Sequence, residues 1–331
     1  MRINRSWAAG VIVLAAASAA VTGCAKSSDA SGDPGQVQIV VDTGPGGGSD
    51  VFAREIIKIL QQTHLISGDW SVNNQSDGGG LGAMAYLRSH PGDNGLISFF
   101  TTKWIVAGLT TPNPPAQLSN LVPLASLVDE PEIIAVNAKS PYQNLTQFIG
   151  AAKKVAPNTY TSTGGEITSV EHLTELAIQK EEGVSWKYLS YAGSGPRIAA
   201  LLNGSAQLMV GAPDDFEQFV QAGKLRVITT ITPNRLKEFP NAPTLGSQSL
   251  QPSFLPSHLQ FRGIAGAPGM SKATIKYYQN LFAKLVKTTA WKNYVASLSD
   301  TTIFETGSQL NNLIGTFTSE VKGILRYIPK Q

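Results

Sequence analysis

Residues 37–60 constrain the fold more than any other stretch of the chain. They consist of the run VQIVV at 37–41, the loop DTGPGGGSD at 42–50, and a segment whose apolar residues share one helical face, namely Phe52, Ile56, Ile57 and Leu60. A β-branched run bounded by Gly and Pro is typical of a buried strand, and apolar residues at i, i+4, i+5 and i+8 are typical of a helix. The sequence therefore predicts a strand, a glycine loop and a helix in succession.

Such a loop is able to bind an anion. The first backbone N–H groups of the helix lack partners within the helix, and glycines let a ligand approach them closely. The helix dipole adds a preference for negative charge. A tight turn that binds nothing could have the same sequence, so one loop alone does not show that an anion is bound. Similar Gly-rich loops recur, however, at residues 75–80, 163–165 and 191–196.

The order of these segments predicts an α/β protein. With 331 residues the chain is long enough for two domains. Strands that alternate with helices predict mostly parallel sheets, which bind ligands at the carboxyl ends of their strands. We therefore expect the Gly-rich loops to meet at a cleft between two lobes, with lobe 1 formed by residues 37–130 and 257–331 and lobe 2 by residues 131–256.

Several local signals indicate where elements begin. Thr168 and Glu171 have capping-box spacing, which predicts a helix starting at Thr168. Asp214 and Ser271 are predicted to cap the helices that follow them. Residues 225–231 form a β-branched run that predicts a strand.

The N-terminus has the pattern of an export signal. Arg2 and Arg5 precede an uncharged stretch at 6–23, whose apolar core is shorter than the ~20 residues of a membrane-spanning helix. The stretch ends at Cys24, the only cysteine, and this junction resembles the lipobox of bacterial lipoproteins. That resemblance implies a signal peptide at 1–23 and lipidation of Cys24, which would anchor the protein to the membrane. The alternative is an ordinary secretory signal beside a bystander cysteine. Residues 24–36 are predicted to be a flexible tether.

Charge and motifs argue against other function classes. The formal net charge is +3 and there is no basic block, so we expect no nucleic-acid partner. Residues 44–49 come near G-x-G-x-x-G but end in Ser49, and no Lys-Ser/Thr pair follows, which disfavours a nucleotide-binding enzyme. No G-x-S-x-G elbow and no metal-binding histidine pair is present. We therefore expect no catalysis, no cofactor and no metal.

In the order and spacing of its motifs, the chain resembles the periplasmic solute-binding receptors of tripartite tricarboxylate transporters, also called Bug proteins. The resemblance extends from about residue 37 to residue 321, and its motifs are GPGGGSD at 44–50, YAGSGP at 191–196, LLNG at 201–204, AGKLR at 222–226, PNAPT at 240–244 and APG at 267–269. It implies a type II periplasmic-binding-protein fold, in which crossover strands join two α/β lobes around a ligand cleft.

The resemblance also implies a function. Such a receptor is extracytoplasmic, captures a small organic carboxylate by closing its lobes, and presents it to a membrane permease. We expect this chain to act as a monomer. The acid could be a di- or tricarboxylate or an aromatic acid. A ligand sensor or scaffolding lipoprotein would use the same cleft, and the sequence does not separate these alternatives.

Matching positions of the family supply the expected ligand contacts. They are Thr43, Gly47, Gly48, Ser49, Gly78, Gly79 and Thr101 in lobe 1, and Ser162, Thr163, Gly164, Ser169, Tyr191 and Ser194 in lobe 2. Asp214 could accept a hydrogen bond from an amino or hydroxyl group of a ligand.

Two departures from the family concern the expected binding loops. Thr43 replaces a frequent aromatic residue, and the loop at 161–169 is about two residues longer than usual. Arg197 and Arg262 could each pair with a carboxylate, although most arginines are solvated at the surface. We expect neutral amide and hydroxyl donors to hold the ligand without a permanent cationic clamp.

Overall fold

The computed structural model describes residues 32–191, 193–250 and 255–326. The predicted signal peptide, Cys24 and most of the predicted tether lie outside these residues. Within the described part of the chain, none of the helices combines the length and apolar character that crossing a bilayer requires.

Eleven strands form within the described residues. In chain order they are β1 Gln36–Val41, β2 Asp69–Asn74, β3 Leu96–Thr101, β4 Val122–Glu130, β5 Glu132–Asn137, β6 Thr161–Gly164, β7 Lys187–Ser190, β8 Leu208–Gly211, β9 Leu225–Ile231, β10 Gln260–Gly266 and β11 Thr301–Thr302.

Ten α-helices accompany the strands in this part of the chain. They are α1 Gly48–Gln62, α2 Leu81–Arg88, α3 Thr102–Thr110, α4 Leu145–Ala152, α5 Val170–Glu182, α6 Ser194–Asn203, α7 Pro213–Gln221, α8 Lys272–Leu285, α9 Thr289–Ser297 and α10 Gly307–Leu325.

The strands make two sheets, one in each lobe. The lobe 1 sheet has the order β11-β4-β10-β3-β1-β2, and the lobe 2 sheet has the order β7-β6-β8-β5-β9. The chain passes from the first sheet to the second at Pro131, between β4 and β5, and returns between β9 and β10. The two α/β units predicted from the sequence are therefore present.

The prediction of mostly parallel sheets is wrong. β1 runs parallel to β2 and β3, and β6 runs parallel to β7 and β8. β10 is antiparallel to β3 and β4, and β5 is antiparallel to β8 and β9. The antiparallel strands arrive from the other lobe rather than through a β-α-β crossover, so the rule that keeps such units parallel does not apply to them.

Apolar side chains cover both faces of each sheet. In lobe 1, one face carries the core around Phe52, Phe282 and Trp291, and the other carries the core around Trp104 and Phe317. Lobe 2 is likewise divided into two apolar clusters. These layers hold the loops that follow β1, β3 and β6 in fixed positions, since a packed interior resists displacement.

Apolar side chains of α5 join the two lobes directly. Leu173 of α5 in lobe 2 is buried in the lobe 1 core that also contains Leu310 and Phe317 of α10. The two lobes are therefore in contact through α5 and α10 as well as through the strands that connect them.

The local signals were partly right. Ser271 caps α8 by accepting from the Thr274 N–H, as predicted. The predicted capping box is wrong, because α5 begins at Val170 and its N-cap, Ser169, makes no side-chain cap. Asp214 is not a cap either, since Ala212 occupies that position and Pro213 the first helical one, where its missing N–H costs nothing.

Candidate functional site

A cavity of about 530 Å³ lies between the lobes. From lobe 1 it is lined by residues 42–49, Ser76, Thr101, Lys103, Gln260 and Arg262, and from lobe 2 by Gly165, Glu166, Ser169, Glu171 and Arg197. The first and third Gly-rich loops therefore meet at one cleft, at the start of α1 and of α5.

The loop between β1 and α1 presents free backbone donors to this cavity. The Gly47 N–H donates to the Gly44 carbonyl (3.0 Å) and the Asp50 N–H donates to Thr43 Oγ1 (3.2 Å). The N–H groups of Gly48 and Ser49, which lie between them, have no acceptor within the described residues. They stand at the positive end of a 15-residue helix, so an anion in the cavity would be stabilised there.

Glycine is required at one point of this loop for steric reasons. A Cβ on Gly47 would lie 2.6 Å from the Cβ of Thr43, which is closer than two carbon atoms can approach. The Thr43 hydroxyl, which accepts from Asp50, still has its own hydrogen available for donation.

Asp42 anchors the loop from beneath. Its buried carboxylate accepts from Ser49 Oγ (2.6 Å) and Trp104 Nε1 (2.8 Å) and is paired with Lys103 Nζ (3.2 Å). Burial acts to raise the pKa of Asp42, but the charge of Lys103 and these hydrogen bonds together lower it. Asp42 is therefore ionised, and the Ser49 hydroxyl is committed to it rather than to a ligand.

Asp50 fixes the same loop from the helix side. Its carboxylate accepts from Arg54 Nε (3.0 Å), Asn74 Nδ2 (3.0 Å) and the Gly46 N–H (2.9 Å). The bond from Arg54 is the main reason why the pKa of Asp50 falls to about 2. Gly46 itself has a φ of +79°, a conformation that glycine adopts without strain.

The lobe 2 wall contains a mostly buried ion pair. Glu171 Oε1 accepts from Arg197 Nη1 (2.9 Å), and the two side chains are only 12% and 13% exposed. Arg197 Nε also donates to the Tyr191 carbonyl (3.2 Å). Glu171, which the sequence pattern assigned to a helix cap, is thus a charged residue of the cavity wall.

A second guanidinium enters the cavity from the lobe 1 sheet. Arg262 donates to the Glu130 carboxylate, which also accepts from Gln260, and its guanidinium lies 4.9 Å from the centre of the Phe52 ring. The expectation that these arginines are solvated at the surface is wrong, because Arg197 and Arg262 both line the cavity and are paired. The cleft therefore contains cationic side chains, each held by a carboxylate of the protein.

Six of the residues expected to contact a ligand line this cavity. They are Thr43, Gly47, Gly48, Ser49, Thr101 and Ser169.

The remaining expected contacts lie outside this lining. Gly78 and Gly79 form a short 3₁₀ turn at Asp77–Gly80, where a Cβ on Gly79 would lie 3.1 Å from Thr168 Oγ1 of lobe 2. The hydroxyls of Ser162 and Thr163 donate to the Glu175 carboxylate and the Leu189 carbonyl respectively.

The four other expected contacts also belong to lobe 2. A Cβ on Gly164 would lie 2.4 Å from the Tyr188 hydroxyl, and the Gly164 carbonyl accepts from the Tyr191 N–H (3.1 Å). Ser194 opens α6, where its side chain bonds to Asp215. Burial, and then the charge of Glu130, raises the pKa of Asp214. Ligand contact by these residues stays a prediction.

Two further carboxyls in the described part of lobe 2, those of Glu132 and Glu175, are almost completely buried. Glu175 accepts from Ser162 and from Trp186 Nε1 (2.7 Å), and burial raises its pKa to about 8. Burial, followed by the negative charge of Glu171 and its neighbours, raises the pKa of Glu132 well above its usual value. Among the described residues, no group of histidine, cysteine and acidic side chains is arranged to hold a metal ion.

Comparison with known proteins gives consistent matches. The family model described as the tripartite tricarboxylate transporter family receptor matches residues 50–326. A protein from the tcbD-tcbE intergenic region of Pseudomonas sp. (strain P51) is 24% identical over 284 residues, which are 86% of this chain and 82% of the relative.

Solved structures of low sequence identity share the fold. A protein of R. palustris with adipate has a TM-score of 0.75 at 17% identity, over 88% of this chain and 96% of the other. MatC from Rhodopseudomonas palustris with bound malate has a TM-score of 0.69 at 16% identity, with the same coverage.

Proposed function

Because the chain belongs to the tripartite tricarboxylate transporter receptor family, we propose that its cleft captures a small organic carboxylate for delivery to a membrane permease. The membership confirms the resemblance found in the sequence, and the shared fold confirms the two-lobe α/β architecture. A receptor of this family is a solute-binding protein of the extracytoplasmic space rather than an enzyme.

The observation that supports this proposal most is the convergence of two helix starts, one from each lobe, on a single cavity. The volume of about 530 Å³ suits a small organic acid, since ligand sites of this kind usually measure about 300–1,000 Å³. The unpaired amides of Gly48 and Ser49 supply donors for a carboxylate group. Structures with adipate and with malate share the fold, which supports the same class of ligand here.

The proposed binding groups follow from this geometry. The Gly48 and Ser49 amides and the Thr43 hydroxyl would hold one carboxylate, because all three line the cavity with a free hydrogen. Thr101 lies in the same wall at the N-cap of α3. Ser169 would contact the ligand from lobe 2. Closure of the lobes would remove water and strengthen these bonds.

The membrane attachment and assembly state are also proposals. A lipid on Cys24 would tether the receptor to the membrane through residues 24–36, close to a permease. The residues that support this are the signal-like stretch at 6–23 and the lone cysteine that follows it. We propose that the receptor acts as a monomer.

A thermal-shift screen tests the ligand class. The chain from residue 25 onwards would be heated with malate, succinate, adipate, citrate or benzoate, with succinamide as the uncharged counterpart of succinate. A bound acid at a hundredfold excess over its dissociation constant adds about 2.7 kcal/mol to the free energy of unfolding. We expect at least one acid to raise the melting temperature and succinamide to have no effect. The proposal fails if no acid does so at millimolar concentration.

A further inference from the structure

A lysine joins the two lobes at the cavity wall. Lys103 lies in the first turn of α3, and its side chain is 18% exposed. Its Nζ atom is 3.2 Å from Asp42 Oδ2 in lobe 1 and 3.6 Å from Glu166 Oε2 in lobe 2. Lys103 and both of its carboxylate partners line the cavity.

The two carboxylates are held to very different degrees. Asp42 is buried and accepts from Ser49 and Trp104 as well, so it cannot leave Lys103 without losing a complete set of bonds. Glu166 makes the longer contact, and its side chain is 45% exposed. Ion pairs of this exposed kind contribute little because water competes for both charges. Glu166 is therefore the partner that can be displaced.

The Glu166 carboxylate also lies near the second glycine loop. A Cβ on Gly79 would lie 3.8 Å from Glu166 Oε2. A carboxylate from lobe 2 thus lies in the interlobe cleft, beside a lysine and near a glycine of lobe 1. A negatively charged ligand in this cleft would occupy the same kind of position.

We propose that Lys103 recognises the carboxylate of the ligand, and that Glu166 occupies this position in the ligand-free cleft as an internal competitor. The inference rests on the proposed function. An arriving carboxylate replaces Glu166 on Lys103, and Glu166 moves into water. One carboxylate is exchanged for another, so the charge around Lys103 and Asp42 does not change.

The exchange has a measurable consequence for affinity. Every ligand must break the Lys103–Glu166 contact before it gains its own, and this lowers its apparent affinity. A neutral residue at position 166 would remove that cost without altering the groups that bind the ligand. A neutral residue at position 103 would remove the counter-ion itself.

Isothermal titration of three variants with malate and with adipate tests the inference. Glu166→Gln should bind about two- to fivefold more tightly than wild type, the range set by a half-exposed ion pair. Lys103→Gln should bind at least about tenfold more weakly, since a charged hydrogen bond is lost. Glu182→Gln is the matched control, because it removes a lobe 2 ion pair with Lys153 (2.9 Å) and should leave affinity unchanged.

The outcomes distinguish this inference from the function on which it rests. Unchanged or weaker binding by Glu166→Gln refutes the role of Glu166 as an internal competitor, even if wild type binds both acids. Wild-type affinity in a folded Lys103→Gln variant overturns the role of Lys103. If Lys103→Gln does not fold because Asp42 has lost its counter-ion, the affinity of Glu166→Gln still shows whether Glu166 competes with the ligand. If wild type binds none of the acids in the wider screen, the proposed function fails as well.

Discussion

Replacing Glu175 with glutamine should remove a large part of the pH dependence of stability. The side chain is fully buried in lobe 2, and its Oε1 atom has no hydrogen-bond partner within the described residues. Burial raises its pKa to about 8, although the bonds from Ser162 and Trp186 act in the opposite direction. Glu175 is therefore protonated in the folded protein at neutral pH and ionised in the unfolded chain.

The size of the effect follows from proton linkage. Between the unfolded pKa of 4.5 and the folded pKa of about 8, the folded state holds a proton that the unfolded state releases. The stabilisation is complete below the lower value and is lost as the pH rises through the upper one, at about 1.4 kcal/mol per pH unit. From pH 5.5 to pH 7.5, wild type should lose about 3 kcal/mol that Glu175→Gln does not lose.

Urea unfolding at several pH values, followed by tryptophan fluorescence, measures this difference. Glu182→Gln serves as the control, since its carboxylate is paired with Lys153 near the surface and its removal should not change the slope. Glu175→Gln should gain stability relative to wild type steadily as the pH rises. A constant difference between the two proteins would mean that Glu175 is ionised in the fold, and the reasoning would be refuted.

Two further predictions concern the second loop and the membrane anchor. Gly80→Ala should lower the free energy of unfolding by about 2–3 kcal/mol, because φ is +104° and a Cβ would lie 2.4 Å from Trp104 Cδ1. Gly150→Ala in α4 is the control, because an added Cβ there would meet no neighbouring group within 4 Å, and it should be neutral or stabilising by up to about 1 kcal/mol. Equal stabilities of the two variants in calorimetry would contradict the steric argument. Cys24→Ser should move the protein from the membrane fraction to the soluble fraction, and continued membrane association would exclude lipid on Cys24 as the anchor.

Sequence patterns predicted those elements whose signals are local. The strand at Leu225–Ile231 has the predicted bounds, and Ser271 caps α8 through its own side chain. Strand direction was not predictable in the same way, because a buried β-branched run looks alike in parallel and antiparallel sheets. β5 and β10 run against their neighbours because the chain reaches them from the other lobe, which is a property of the whole topology.

The site was predictable where it depends on backbone and not where it depends on charge. The glycine loop at 44–48 indicated free amides at a helix start, and the cavity lies at that loop. The ion pairs were missed because each joins residues from separate segments, as Lys103 does with Asp42 and Glu166. Glu171 was assigned to a capping box because a glutamate in the first turn of a helix is favoured by the helix dipole. The sequence pattern gave no sign that its carboxylate pairs with Arg197, which is distant in the chain.

The buried position of Leu173 links ligand exchange to temperature. Separating the lobes would bring this side chain out of the lobe 1 core, at a cost of about 2 kcal/mol. That cost decreases on cooling, because the hydrophobic effect becomes weaker at low temperature. A larger fraction of the receptors would therefore adopt the open conformation at low temperature. Leu173 would thus influence the population of the open state although it does not line the cavity.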